Sequence, residues 1–218
     1  MALCREGAVR GLMKGALHTD ALMHAVLDKE LGLKTARRVS HVFVIDAPAY
    51  PRPLMVTDAA INIYPTLDDK VDIAKNAIEL AHALGIARPN VAILSAVETV
   101  SSKITSTLDA AALCKMADRK QITGAVLDGP LAFDTAVSAQ AAAIKELVSP
   151  VAGVADVLLV PDLESGNMLA KQLEYLGGAE MAGVVLGARV PIVLTSRSDS
   201  ARARLASCAV AVLRAAAG

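Results

Sequence analysis

The densest reactive group in this chain is Ser196-Arg197, with Asp199 two residues further on. An arginine offers a planar fork of N–H donors that matches the oxygens of a phosphate. A nearby carboxylate can orient the arginine or accept a proton, or simply stabilise a helix start. The sequence puts the pair at the opening of the last helix, where backbone N–H groups favour an anion.

Other polar clusters follow apolar runs in the same way. They are Lys14-Gly15, Thr57-Asp58, Asp128-Gly129-Pro130, Pro161-Asp162 and Thr195-Ser196-Arg197, with Asn62 and Asn167 shortly after their runs. Each alone is an ordinary turn or cap residue; together they favour a cleft. The candidate binding residues are Lys14, Gly15, His18, Thr19, Asp58, Asn62, Asp128 and Asn167, with Ser196, Arg197 and Asp199 as the candidate reactive group. His18 sits in a strand-to-helix turn and is kept for that reason. His24, His41 and His82 read as satisfied or surface histidines. His18 and His24 are not at i,i+3 or i,i+4 spacing and share no helical face, so no metal centre is expected. Cys4, Cys114 and Cys208 are far apart, which excludes a zinc knuckle or disulfide framework. A reducing cytoplasm is the expected compartment.

The elements that must position these residues alternate between short apolar runs and helical periodicity. Strands are expected at 9–13, 39–46, 54–57, 91–97, 124–127, 156–160, 184–186 and 192–194. Helices are expected at 19–29, after the Thr66/Asp69 capping box up to Gly85, and at 106–117, 133–147, 164–176 and 200–217. Thr19 is a candidate N-cap and Gly32 a candidate C-cap glycine. Strands separated by helices of this length mean βαβ crossovers and a largely parallel sheet, with ligands at the strands' carboxyl ends. Residues 2–6 read as a helix tail leading straight into a strand, as though the chain began in the middle of a unit.

Composition narrows the function classes. Lys+Arg and Asp+Glu are both 22, so the balanced charge argues against a nucleic-acid or polybasic membrane surface. A hydrophobic content of 54% excludes intrinsic disorder. No apolar run is long enough for a membrane span, and the charges of Arg5 and Glu6 interrupt any leader-like segment. No G-x-G-x-x-G, Walker, H-E-x-x-H or G-x-S-x-G signature is present.

The segments Met13-Lys14-Gly15-Ala16-Leu17-His18-Thr19-Asp20, Val56-Thr57-Asp58-Ala59-Ala60-Ile61-Asn62 and Ser106-Thr107-Leu108-Asp109-Ala110-Ala111 resemble the phosphate acetyl/butyryltransferase family. So do Val126-Leu127-Asp128-Gly129-Pro130-Leu131-Ala132, Val160-Pro161-Asp162-Leu163-Glu164-Ser165-Gly166-Asn167 and Leu194-Thr195-Ser196-Arg197-Ser198-Asp199-Ser200. The resemblance runs in order through the chain and is nearest to the branch associated with MaoC-type enoyl-CoA hydratase domains. It implies an α/β fold of two domains, isocitrate/isopropylmalate dehydrogenase-like, with largely parallel sheets and helices on both faces. Residues 1–38 with 185–218 would form a discontinuous first domain lacking its N-terminal part, and 39–184 the second. The implied reaction is acyl-CoA plus phosphate giving acyl phosphate plus CoA, with coenzyme A as substrate, no tightly bound cofactor, and a homodimer. Arg197 would hold the phosphate, and Ser196 would donate to the reacting oxygen or thiol.

Two departures from the acetyl branch stand out: Ala203 where that branch has a catalytic Asp, and His24 where it has an Arg. Both point to a broader acyl preference and leave the catalytic base open. The competing readings are a non-catalytic acyl-CoA-sensing domain and a β-decarboxylating dehydrogenase of the same fold. Ser196-Arg197 favours catalysis over the first, and the lack of a nicotinamide motif disfavours the second.

Overall fold

The computed structural model describes residues 1–196 and 199–217. In chain order the elements are α1 (Ala2–Arg5), β1 (Leu12–Met13), α2 (Thr19–Leu27), β2 (Ser40–Asp46), β3 (Leu54–Thr57), α3 (Leu67–Ala83), β4 (Asn90–Leu94) and α4 (Thr105–Asp118). They continue with β5 (Val126–Leu131), α5 (Phe133–Val137), α6 (Ala139–Ile144), β6 (Val157–Leu159), α7 (Leu163–Tyr175), β7 (Glu180–Leu186), β8 (Ile192–Val193) and α8 (Ala201–Ala216). Among the described residues one eight-stranded sheet runs in the order β1-β8-β7-β2-β3-β6-β4-β5.

The fold is mixed α/β, as expected, but the sheet is not uniformly parallel. β1/β8, β3/β6, β4/β6 and β4/β5 pair parallel, whereas β2/β3, β2/β7 and β7/β8 pair antiparallel. The connection from β2 to β3, residues 47–53, carries no crossover helix, so the strands can only fold back on one another. β1, β8 and β2 thus run opposite to β3, β4, β5 and β6. The clusters after β1 and β8 leave the sheet in the opposite direction from those after β3, β5 and β6, so the five clusters do not share one sheet edge.

The alternation of β2 shows how both faces are covered. Val42 and Val44 enter a core shared with Ile73 and Leu80 of α3, Leu113 of α4 and Val210 of α8. Phe43 and Ile45 enter a second core with Ala136 of α5 and Leu169 and Leu173 of α7. A third cluster joins Cys4 of α1 and Leu22 and Val26 of α2 to Val185 and Ile192. No helix is long and apolar enough to cross a membrane among the described residues.

Local chemistry explains where the elements start and stop. Thr66 and Asp69 form the expected capping box, each side chain accepting from the other's backbone N–H, and α3 ends before Gly85 at φ +89°. Thr19 does not cap α2: His18 occupies the N-cap and makes no side-chain cap bond. Nor does Gly32 cap its end. The helix stops at Asp28, whose Oδ1 accepts from the N–H groups of Glu30 and Leu31. Gly32 is needed instead for close approach, since a Cβ there would lie 2.4 Å from the Asp28 carbonyl oxygen. The helix expected over 133–147 divides at Ser138, which accepts from the Ala141 N–H and so starts a new helix. Asp128-Gly129-Pro130 lies within β5, not after it, because an edge strand tolerates a proline. α8 begins at Ala201 with Ser200 as N-cap, accepting from the Ala203 N–H. Ser196 therefore precedes the last helix and does not open it.

Candidate active site

A cavity of about 240 Å³ lies over β2 and β7, between α7 and the segment that joins β8 to α8. Thr19, His41, Ala60, Asn167, Lys171, Glu174, Gly183, Thr195, Ser196, Asp199 and Ala203 are among its lining residues. The antiparallel middle of the sheet makes this possible. The loop after β8 reaches the cavity from one direction, and the loops after β3 and β6 from the other. A larger hollow of about 660 Å³ adjoins it, sharing Glu174, Met181 and Ala203 and adding Arg202, Ser200 and Ala206.

Of the expected catalytic group, Ser196 and Asp199 are brought together here. The Asp199 carboxylate accepts from the Ser196 backbone N–H at 2.7 Å, which closes the turn leading into α8. Arg197 lies outside the described residues. Thr19 and Asn167 of the binding set also line the cavity, with Asn167 Nδ2 donating to the Ala59 carbonyl at 3.2 Å.

The remaining members of the set are placed elsewhere. Asp58 is buried at the end of β3, where its carboxylate accepts from the N–H groups of Ala60, Ile61 and Asn62 and from Asn62 Nδ2. Burial raises its pKa above the ordinary carboxylate value, opposed by these hydrogen bonds. Asn62 also donates to the Val39 carbonyl and accepts from Arg38 Nε at 2.6 Å. The pair shapes the loop that brings Ala60 to the cavity wall. Lys14 is buried, with Nζ donating to the Leu17 carbonyl at 3.3 Å, while Gly15 and His18 are exposed. Asp128 sits on β5, four strand spacings or about 19 Å from β2. There it adds to the burial that pushes the Cys114 thiol up to about 12, so that cysteine is no nucleophile.

The sequence reading missed three cavity residues. Lys171 and Glu174 pair at 2.9 Å along α7, and the periodicity that set this helix did not say which face met a cavity. His41 is the larger miss. It is buried among the strands, and its Nδ1 is the buried side-chain nitrogen or oxygen without a hydrogen-bond partner among the described residues. Burial pushes the imidazole down to about 3, so the ring is neutral at physiological pH. The reading of His41 as a satisfied or surface histidine is thus corrected: its backbone places it in β2, but only the tertiary packing withholds a partner. Among the described residues no group of three or more His, Cys, Asp or Glu is arranged to hold a metal.

Residues 1–212 match the model of the phosphate acetyl/butaryl transferase family. The chain belongs to this family. It is 64% identical over 216 residues to a phosphate acetyltransferase of Rhizobium meliloti, covering 99% of this chain and 68% of that protein. Other curated relatives at 60–62% identity are longer still, and the chain spans 60% of their length. A crystal structure of a branched-chain phosphotransacylase from Enterococcus faecalis superposes with a TM-score of 0.90 at 37% identity, over 98% of this chain and 76% of that one. A Salmonella typhimurium chain described as a 4-hydroxythreonine-4-phosphate dehydrogenase shares the fold alone, with a TM-score of 0.54 at 14% identity over 98% of this chain and 67% of that one. The chain thus shares its α/β fold with solved structures described as a phosphotransacylase and as a dehydrogenase.

Proposed function

We propose that this chain transfers an acyl group between coenzyme A and inorganic phosphate: acyl-CoA plus phosphate gives acyl phosphate plus CoA. The observation that carries the reading is the cavity that brings together Ser196, Asp199, Thr19 and Asn167, in a chain of this family. Arg197, adjacent to Ser196, holds the phosphate through its planar fork. Ser196 donates to the carbonyl oxygen as negative charge gathers there. Asp199, bound to the Ser196 backbone, keeps that turn closed and sets the serine's position. Lys171 adds positive charge on the opposite wall.

The adjoining hollow suits the bulk of CoA, whose thioester then reaches the small cavity past Ala203. The acyl group is a short one, acetyl, propionyl or butyryl. Residues 1–38 with 185–218 form one unit of the proposed domain arrangement and residues 39–184 the other; the cavity draws Thr19, Ser196 and Asp199 from the first and His41, Asn167 and Lys171 from the second. Lys14, Gly15, His18, Asp58, Asn62 and Asp128 serve as substrate-binding positions in the full reading, Asp58 and Asn62 by shaping the Ala60 loop. The protein works without a tightly bound cofactor, in the cytoplasm, as a homodimer. Exposed Leu205 and Val212, seven residues apart on one side of α8, supply apolar surface for such a contact.

The test is phosphate-dependent release of CoA thiol from acetyl-, propionyl- and butyryl-CoA. At least one donor should turn over, with no release when phosphate is omitted. Binding of acyl-CoA without turnover of any donor would leave the non-catalytic sensing reading in its place.

A further inference from the structure

We propose that His41 is the catalytic proton acceptor for the CoA thiol, an assignment that rests on the acyl-transfer reading above. Three observations lead to it. First, the ring forms part of the wall of the cavity that holds Ser196 and Asp199, and its Nδ1 has no partner. A buried polar atom without a hydrogen bond is costly and uncommon, and persists where a ligand or reaction completes it. Second, the carboxylates that line the cavity are already engaged. Asp199 accepts from the Ser196 N–H, and Glu174 is paired with Lys171. Third, the ring is held in place. Phe43 packs against it edge-on with centroids 4.3 Å apart, and a Cβ at Gly183 would lie 2.8 Å from Nε2, so that glycine leaves the ring its space.

The charge environment suits the role. The charged residues that line the cavity together with the ring are, among the described residues, Lys171 and Glu174 on α7 and Asp199 before α8. Asp58, at the end of β3, is engaged by the N–H groups of Ala60, Ile61 and Asn62. Burial keeps the empty ring neutral, so its lone pair is available. A thiolate formed beside it attracts the imidazolium, which offsets the cost of the buried charge.

The step balances without any further reactant. Toward acyl-CoA, the thiol S–H bond breaks and its proton passes to the imidazole. The sulfur then forms the C–S bond at the acyl-phosphate carbonyl, the carbonyl carbon–oxygen bond to phosphorus breaks, and phosphate leaves with the electron pair and takes the proton. In reverse, the imidazole takes a proton from monoprotonated phosphate as its oxygen attacks the thioester. The departing thiolate receives that proton.

The experiment compares wild type with His41→Asn and Gly183→Ala in the acyl phosphate plus CoA direction, across pH 6 to 9. His41→Asn should lower kcat by about 10²-fold or more with the KM for CoA within about threefold. Its rate should climb with pH toward the thiol's own ionisation while wild type stays flatter. Gly183→Ala should lower kcat in wild type and add nothing in the His41→Asn background. A folded His41→Asn variant within about threefold of wild type, or one whose loss is the same at every pH, overturns the assignment while leaving acyl transfer intact. A wild type that turns over no donor overturns the reading it rests on and the assignment together. If His41→Asn does not fold, nitrogen-15 NMR of wild type decides. Addition of CoA should shift the Nδ1 resonance of the buried histidine, and an unmoved resonance contradicts the assignment.

Discussion

Two buried polar groups stand on neighbouring strands and differ in how far their hydrogen bonds are satisfied. At the end of β3, Asp58 accepts three backbone N–H groups and the Asn62 amide, and Asn62 in turn reaches Val39 and Arg38. On β2, His41 is just as buried, yet its Nδ1 meets nothing. The first arrangement is closed, and its hydrogen bonds fix a loop. The second leaves a ring nitrogen unsatisfied in a residue that forms part of a cavity wall. Sequence presents both as single polar residues in an apolar context; only satisfaction separates structure from chemistry.

The comparison can be broken from either side. Asp58→Ala strands several buried donors at once and should cost on the order of 3 kcal/mol in denaturant unfolding. A loss below about 1 kcal/mol would mean that the loop holds without its carboxylate. Arg197→Ala should leave the unfolding midpoint near wild type but lower turnover by about 10²-fold, equivalent to about 2.7 kcal/mol of barrier. Arg197→Lys should recover little of it, because a point charge does not replace the fork; full recovery by lysine would argue against bidentate phosphate binding.

The pH dependence of stability sharpens the contrast further. The folded His41 titrates at about 3, below its ordinary 6.5, so under pH 6.5 the unfolded chain takes up a proton that the folded chain refuses. This contribution is flat above pH 6.5 and removes stability as pH falls toward 3, reaching about 2 kcal/mol by pH 5. His41→Asn should flatten that slope in urea melts between pH 7 and 5, and an unchanged slope would show that His41 is not held neutral. The smallest effect belongs to a purely local contact. Thr66→Ala removes one half of the α3 capping box and should cost about 1 kcal/mol, with no change in turnover.

Much of this was legible in the chain. β3 falls where its apolar run lies, and Thr66 and Asp69 announce α3, because capping and short-strand signals are local. Ser196 was found but misplaced, since Ser200 supplies the stronger N-cap just ahead of Ala201. Asp128 is expected just past a strand of residues 124–127, whereas β5, at the edge of the sheet, runs on through Pro130. Two things required three dimensions. One is the reversal of β2 against β3, which sends the strand-end clusters in opposite directions. The other is the absent partner of His41, a property of its neighbours and not of its own residue type.

The central claim is that acyl transfer takes place in the cavity between Ser196 and His41. Ala203 lines both that cavity and the larger hollow beside it. The most direct test is the acyl-transfer rate of Ala203→Phe, which fills the passage between them without removing any polar group. The account predicts a fall of about 10²-fold or more in kcat/KM for acyl-CoA, with the thermal midpoint close to wild type. A stably folded Ala203→Phe protein that turns over acyl-CoA at the wild-type rate would place the reaction elsewhere in the molecule.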